Sequence, residues 1–337
     1  MNPFTYARPD SIADAVRGMV AHPGARFIAG GTNLVDLMKE AVARPTHLID
    51  ITRLPLRQVQ DLPDGGTRVG ALVSNTELAY HPRIARRYPL VAQAILAGAS
   101  PQLRNMATLG GNLLQRTRCL YFYDVATPCN KRQPGTGCAA RTGCNRNHAI
   151  LGASEHCIAT HPSDLCVALA ALAAVVRVTG PRGERALPFA ELHRLPGGAP
   201  EQDTNLDPDE LITAVDLPAQ GFADASFYLK LRDRASYAFA LVSVAAALEL
   251  DGQGVVRQAR IALGGVAHKP WREPEAEALL IDRPAAAEHF VAAAQRLVRD
   301  ARGLAGNSFK IELTKRAVVR ALLQAATGAA GASEQMP

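Results

Sequence analysis

Six cysteines fall between positions 119 and 166 of a 337-residue chain, and the first 118 and last 171 residues hold none. They are Cys119, Cys129, Cys138, Cys144, Cys157 and Cys166. The N-terminus, MNPFTYARPDSIADAV, has no basic stretch followed by an apolar core, so neither an export leader nor a disulfide framework is expected. Clustered thiols then point to metal or redox chemistry. Structural zinc draws paired ligands from tight C-x2-4-C turns, whereas the gaps here are nine, eight, five, twelve and eight residues. An iron–sulfur cube is larger and takes thiolates from separate points on a wrapping loop. The stretch RTRCLYFYDVATPCNKRQPGTGCAARTGCNRNHAILGASEHC is rich in Gly, Pro, Asn and Arg and lacks helix or strand periodicity. It reads as a long ordered loop, the kind that is usually functional.

A cube needs four ligands from six thiols. Cys166 lies in SDLCVALAALAAVV, a helix-like apolar run, where a small buried hydrophobe is its natural role. Cys119, Cys129, Cys138 and Cys157 are the favoured set. Cys144 is the bystander, although its position lets it replace Cys138 or Cys157. Zinc and a set of unligated buried cysteines are the other readings of the same pattern.

Two glycine-bearing polar turns are the second candidate feature. In ARFIAGGTNLVDLMKEAVARPTHLIDI, Phe27, Ile28 and Ala29 read as a strand, Gly30 and Gly31 as a tight turn, and Thr32 or Asn33 as the cap of a helix. Such a turn gathers backbone N–H groups that can hold phosphate, and it reads equally as a plain strand-to-helix connection. RNMATLGGNLLQ, residues 104–115, repeats the theme immediately before the cysteine loop. Two such turns can line one phosphate groove. Ser163 or Asp164 caps the helix that follows the loop. Lys230, in an otherwise apolar strand, reads as an anion holder or as one solvated face.

The elements that must position these residues follow from local pattern. A hairpin turns at Asp64, Gly65 and Gly66, a helical segment spans roughly 83–96, and a second hairpin turns at Pro181, Arg182 and Gly183. LITAVDLP is a strand. From Ser226 the pattern reads strand, helix, hairpin and then helices, which suggests a separate α+β domain. TGAAGASEQMP reads as a disordered tail.

Composition narrows the class. Hydrophobic residues make up 48% and charged residues 20%, with a mean hydropathy of −0.01, as in ordinary globular proteins. The longest apolar run, Leu165 to Val178, is interrupted by Arg177 and falls short of the roughly 18 residues needed to span a bilayer. A net charge of +6 is scattered and aromatics are only 5%, which argues against nucleic-acid binding and suits an anionic cofactor or an acidic partner surface equally. No nucleophile elbow, P-loop, HExxH or GxGxxG occurs.

The ordered motifs RFIAGGTNL, RNMATLGGNL, HPSDL, DELITAVDLP and SFYLKLRDR resemble the flavin-binding subunit of the molybdenum hydroxylases over residues 3–325. This is the family of xanthine dehydrogenase, carbon monoxide dehydrogenase and aldehyde oxidoreductase. The cysteine loop is similar to the [4Fe–4S]-bearing insertion of the bacterial periplasmic aldehyde oxidoreductases, and 4-hydroxybenzoyl-CoA reductase has an insertion of different spacing. The resemblance implies an α+β chain with a two-lobed FAD-binding domain of the vanillyl-alcohol-oxidase (PCMH) type at 1–220. Its lobes would be about 1–55 and 56–220, with the iron–sulfur insertion at 115–158. A CO-dehydrogenase-flavoprotein-like α+β domain would occupy 221–326, and the disordered tail 327–337.

By the same resemblance, Arg26, Phe27, Ile28, Ala29, Gly30, Gly31, Thr32, Asn33 and Leu34 would wrap the FAD pyrophosphate through backbone amides. Thr108, Gly111 and Asn112 would make the second phosphate contact. Asp164 would hydrogen-bond the cofactor's polar tail, Leu165 and Ile212 would pack on it, and Lys230 would reach the flavin crevice. The implied role is electron transfer within a heterotrimer. A large subunit with the molybdenum cofactor oxidises an aldehyde, a small subunit carries two [2Fe–2S] clusters, and this chain passes electrons through FAD to an external acceptor. No catalytic acid or base is expected here. The alternatives are a xanthine-dehydrogenase-like or 4-hydroxybenzoyl-CoA-reductase-like complex, a stand-alone flavin oxidoreductase, or a metal-binding module without flavin. Co-export with a signal-bearing partner would put the chain in the periplasm, and the cytoplasm is the alternative. Neither nucleic acid nor membrane insertion is expected.

Overall fold

The computed structural model describes residues 1–333. Three sheets organise the chain. The first is a small parallel sheet in which His47–Asp50 lies between Thr5–Ala7 and Ala25–Ile28. Helix Ile12–Ala21 covers it through Ala15, Val16 and Met19, and Ser11 caps that helix by accepting the Asp14 N–H at 3.0 Å. The GGTN turn leaves the edge strand Ala25–Ile28 and enters the short helix Leu34–Lys39.

The second sheet is antiparallel, in the order Val59–Asp61, Thr67–Gly70, Leu211–Leu217, Val175–Gly180 and Gly183–Pro188. Both expected hairpins are there. Gly65 and Gly183 adopt φ of +84° and +102° at their turns, conformations that glycine adopts without strain. The expected helix near 83–96 is two helices, Pro82–Arg87 and Pro89–Ala97. They break at Tyr88 because Pro89 has no N–H to donate and disfavours helical geometry in the residue before it. Buried Asp216 accepts from Arg68 at 2.7 and 2.9 Å and from Arg177 at 2.7 Å, linking three adjacent strands.

The third sheet runs Trp271–Arg272, Val256–Gly264, Val242–Leu250, Ser226–Leu231, backed by helices Ala287–Leu297 and Phe309–Ser333. Here one expectation fails. The alanine-rich run after the first strand is no helix; it is the strand Val242–Leu250. Its alternate residues go to different cores. Ala245 and Ala247 join the core of the second lobe, while Val244, Ala246 and Leu248 join that of the third sheet. A strand buried on both faces shows no alternation of polarity, and packing from both sides overrides the helix preference of alanine. The tail expectation also changes, because helix Phe309–Ser333 continues through the first seven of those residues. The last four, 334–337, lie outside the described residues.

Burial on both faces is testable. Ala246→Leu and Ala247→Leu point to opposite faces, and each is expected to lower unfolding stability by about 1–3 kcal/mol through overpacking. Denaturant titration in which either variant matched the parent would mean that one face is open.

Candidate functional site

The two glycine turns meet. A Cβ on Gly30 would sit 1.8 Å from the Met106 carbonyl oxygen, so the first turn lies backbone against backbone on the segment leading into the second. That segment is clamped along 71–75 by N–H donation from Asn75 to Ala107 O, Leu109 to Val73 O and Gly110 to Ala71 O, at 2.8 to 2.9 Å. Thr108 caps the short helix Leu109–Leu113 by accepting the Gly111 N–H at 3.3 Å, and Gly111 itself is exposed. Gly31 takes φ +71°.

Asn33 does not cap its helix. Its Oδ1 accepts the Arg116 N–H at 2.9 Å, and its buried Nδ2 has no partner. Asn75 is 4% exposed and its Oδ1 is also unpartnered. Sequence reasoning passed over Asn75, although the S-x-x-E capping box that holds it, Ser74 with Glu77, is written in the chain. A buried amide donor beside two glycine turns suits a phosphate-bearing ligand.

The other expected FAD residues are placed as follows. Phe27 and Ala29 are half-buried against the first lobe's core, next to Ile28, whereas Arg26 is exposed and donates to Ala25 O at 3.2 Å. Thr32 is half-buried within the turn, and Leu34 opens the helix. Leu165 and Ile212 face the second lobe's core. Ser163 is the cap of helix Asp164–Ala171; its hydroxyl donates to Asn112 Oδ1 at 2.5 Å. Asp164 therefore does not cap. It accepts from Tyr228 Oη at 2.7 Å and pairs with Lys230 Nζ at 2.7 Å, both side chains under 10% exposed. Lys230 also donates to Ala97 O at 3.1 Å. Two residues assigned separately to the cofactor are thus held by each other across the junction with the third sheet.

The cysteine loop is irregular except for helix Leu120–Tyr123 and a 3₁₀ turn at Ala139–Arg141. Cys119, Cys129, Cys138 and Cys157 line one small space with Phe122 and Lys131. Cys144 is exposed and outside it, and Cys166 is buried in its helix. Among the described residues, no three of the four thiols lie within 4.8 Å of one another. A single zinc at about 2.3 Å from each sulfur would need about 3.8 Å between them.

Burial lifts the Cys119 thiol to about 11 against the N–H groups of Phe122 and Tyr121. A hydrogen bond shared with Cys157, helped by N–H donors from Ile158, Ala140 and Arg141, draws Cys138 down to about 6 and pushes Cys157 up. His148, which the sequence did not single out, brings Nε2 to 3.1 Å from Cys119 Sγ.

Long-range contacts pin the loop on all sides. Arg118 and Tyr123 reach Asp36 in the first lobe. Lys131, 2% exposed, pairs with Asp203, which Arg116 also holds at 2.6 Å. Fully buried Lys310 donates to the carbonyls of His148 and Gly265 at 2.8 and 2.6 Å.

Known proteins share this arrangement. Residues 2–220 match the family described as "FAD binding domain in molybdopterin dehydrogenase", and residues 227–325 match "CO dehydrogenase flavoprotein C-terminal domain". The chain belongs to the FAD-binding medium subunits of the molybdenum hydroxylases. It is 51% identical to the aldehyde oxidoreductase FAD-binding subunit PaoB of Escherichia coli (strain K12), covering 96% of this chain and 99% of that one. It is 30% identical to the carbon monoxide dehydrogenase medium chain of Afipia carboxidovorans, covering 96% and 98%. The carbon monoxide dehydrogenase of Hydrogenophaga pseudoflava that lacks the Mo-pyranopterin moiety superposes with a TM-score of 0.75 at 26% identity, over 97% and 98% of the two chains. This molybdenum hydroxylase medium subunit is therefore an oxidoreductase subunit with a FAD-binding domain, and no described helix is long and apolar enough to cross a membrane.

Two measurements probe the charge network. Lys230→Met leaves Asp164 buried without its cation and should cost about 3–5 kcal/mol, read by denaturant titration; a loss within error of zero would show the pair to be dispensable. For Asp203, burial works upward, but Lys131 and Arg116 outweigh it and hold the carboxyl at about 2, below the ordinary 3.8. A depressed carboxylate stabilises the fold above its unfolded value and stops doing so as pH falls through the folded one. Asp203→Asn is therefore expected to be less stable at neutral pH, with the deficit shrinking between about pH 4 and about pH 2.

Proposed function

We propose that this chain is the FAD- and [4Fe–4S]-binding electron-transfer subunit of a heterotrimeric aldehyde oxidoreductase. It would take electrons from a [2Fe–2S] subunit and deliver them to an external acceptor, with the molybdenum cofactor on a large partner subunit. One observation carries the cluster: of six cysteines, four line a common space, and the two left out are the exposed Cys144 and the helix-bound Cys166. Four thiols around one space match the number of ligands that a [4Fe–4S] cube takes. The aldehyde substrate and the partners rest on 51% identity to the E. coli subunit over nearly all of both chains.

FAD, when bound, supplies the exchange between one-electron and two-electron carriers. The chain's own residues hold it. Gly30 and Gly31 would let the backbone approach the pyrophosphate, Asn33 Nδ2 offers an unused donor, and the exposed Gly111 with Thr108 and Asn112 would make the second contact. The Asp164–Lys230 pair ties helix Asp164–Ala171 to strand Ser226–Leu231. Cys119, Cys129, Cys138 and Cys157 would ligate the cluster, and loop N–H groups would offset the charge on their sulfurs. In this reading the complex is periplasmic and leaves the cytoplasm on a partner's signal.

The test is the iron-to-FAD ratio of the chain purified anaerobically from its complex after the partners are dissociated. About four irons per flavin is expected. Cys138→Ser should lose iron and keep FAD, whereas Cys144→Ser should retain both. Flavin without iron would reduce the loop to a structural insertion. Loss of iron in Cys144→Ser would reassign the ligand set.

A further inference from the structure

A second group of ligating side chains lies apart from the four thiols. His161, Cys166 and His193 each offer one ligand atom, and the three atoms lie within 4.8 Å of one another. They come from three places: the end of the cysteine loop, helix Asp164–Ala171, and the residue after helix Phe189–Leu192. Cys166 is 0% and His193 3% exposed.

The protonation pattern suits a cation. His193 Nε2 donates to the Leu113 carbonyl at 2.8 Å, which leaves the lone pair on Nδ1, and that atom is buried and unpartnered. A ring N–H fixed by a backbone carbonyl is the usual support of a metal-bound imidazole. His161 Nε2 is also buried and unpartnered; its Nδ1 accepts the Ser163 N–H at 3.4 Å, so a ligating Nε2 requires the ring proton to leave it and this long bond to be given up. His268, 7% exposed, lines the same small space as His161 and His193, and neither of its ring nitrogens has a partner. Burial holds all three imidazoles neutral at neutral pH, with His193 down at about 4 and His268 at about 3. Four unpartnered ring nitrogens around one buried space call for a shared ligand, since each left unsatisfied costs about 1–3 kcal/mol.

We propose that His161, Cys166 and His193 bind one Zn²⁺, with His268 or a water completing a tetrahedron. Thiolate with imidazole is the donor set that zinc favours. Binding displaces the Cys166 thiol proton to solvent, one proton per zinc; the same space is lined by Asp203 and by its partner Lys131, so the charge left on the site is carried by the thiolate. The ion would staple the end of the loop to the second lobe, directly behind Ser163 and Asn112.

The full-length chain, purified anaerobically, incubated with Zn²⁺ and desalted, is analysed for zinc and iron separately. One zinc per chain is expected, retained in Cys138→Ser and lost in both Cys166→Ala and His193→Gln. Because iron is counted independently, failure here is distinguishable from failure of the cluster assignment. Co²⁺ added to the unsubstituted chain should give thiolate charge-transfer absorption and visible bands of a tetrahedral site, which needs no variant to fold. Zinc below a tenth of an equivalent, zinc that follows Cys138 rather than Cys166, or cobalt without a thiolate band would each overturn the proposal.

Discussion

Gly30 lies so close to the Met106 carbonyl that a single methyl group would fall 1.8 Å from its oxygen, and most of the site depends on this approach. Each glycine turn sits at the end of a rigid sheet. The first leaves the edge strand Ala25–Ile28, and the second is clamped along 71–75, directly after strand Thr67–Gly70. At the seam backbone meets backbone, and the first turn is held against the segment 106–107 that leads into the second. Asn33 then carries the seam into the cysteine loop, one face of its amide bound to the Arg116 N–H and the other left free. The cofactor turn and the root of the insertion are thereby built on the same residue.

Buried cations hold that insertion in place. Lys131 and Lys310 are 2% and 0% exposed, yet only Lys131 has a carboxylate, Asp203. Lys310 is satisfied by two carbonyls, and burial pulls it down to about 7. Such groups are costly to bury, and they are satisfied in one arrangement only. Because His148 O is one acceptor of Lys310 and His148 Nε2 meets Cys119 Sγ, the helix Phe309–Ser333 is coupled to the thiol cavity through one residue.

What the chain disclosed in advance was local. The glycine turns, both hairpins and the helix after HPSD are each written within a dozen or so residues. What it concealed was long-range. Val242–Leu250 looked helical because both its faces are buried, so no alternation marked it as a strand. Nothing local announces the ion pair between Asp164 and Lys230, 66 residues apart. Asn75, His148 and Lys310 acquire meaning only from partners in distant segments.

The irregularity of residues 116–158 is itself an explanation of the thiol cavity. In a helix or sheet, N–H groups are consumed by the ladder, and a thiolate placed among them finds few donors. Here short turns and helix starts within the loop bring N–H groups to sulfur: Phe122 and Tyr121 to Cys119, Ile158, Ala140 and Arg141 to Cys138, Ala159 to Cys157. Such donors stabilise negative sulfur, which a metal centre with thiolate ligands requires. Cys166 shows the converse. Set in a regular helix and fully buried, its thiol is pushed up to about 12 and keeps its proton at neutral pH unless a bound cation displaces it.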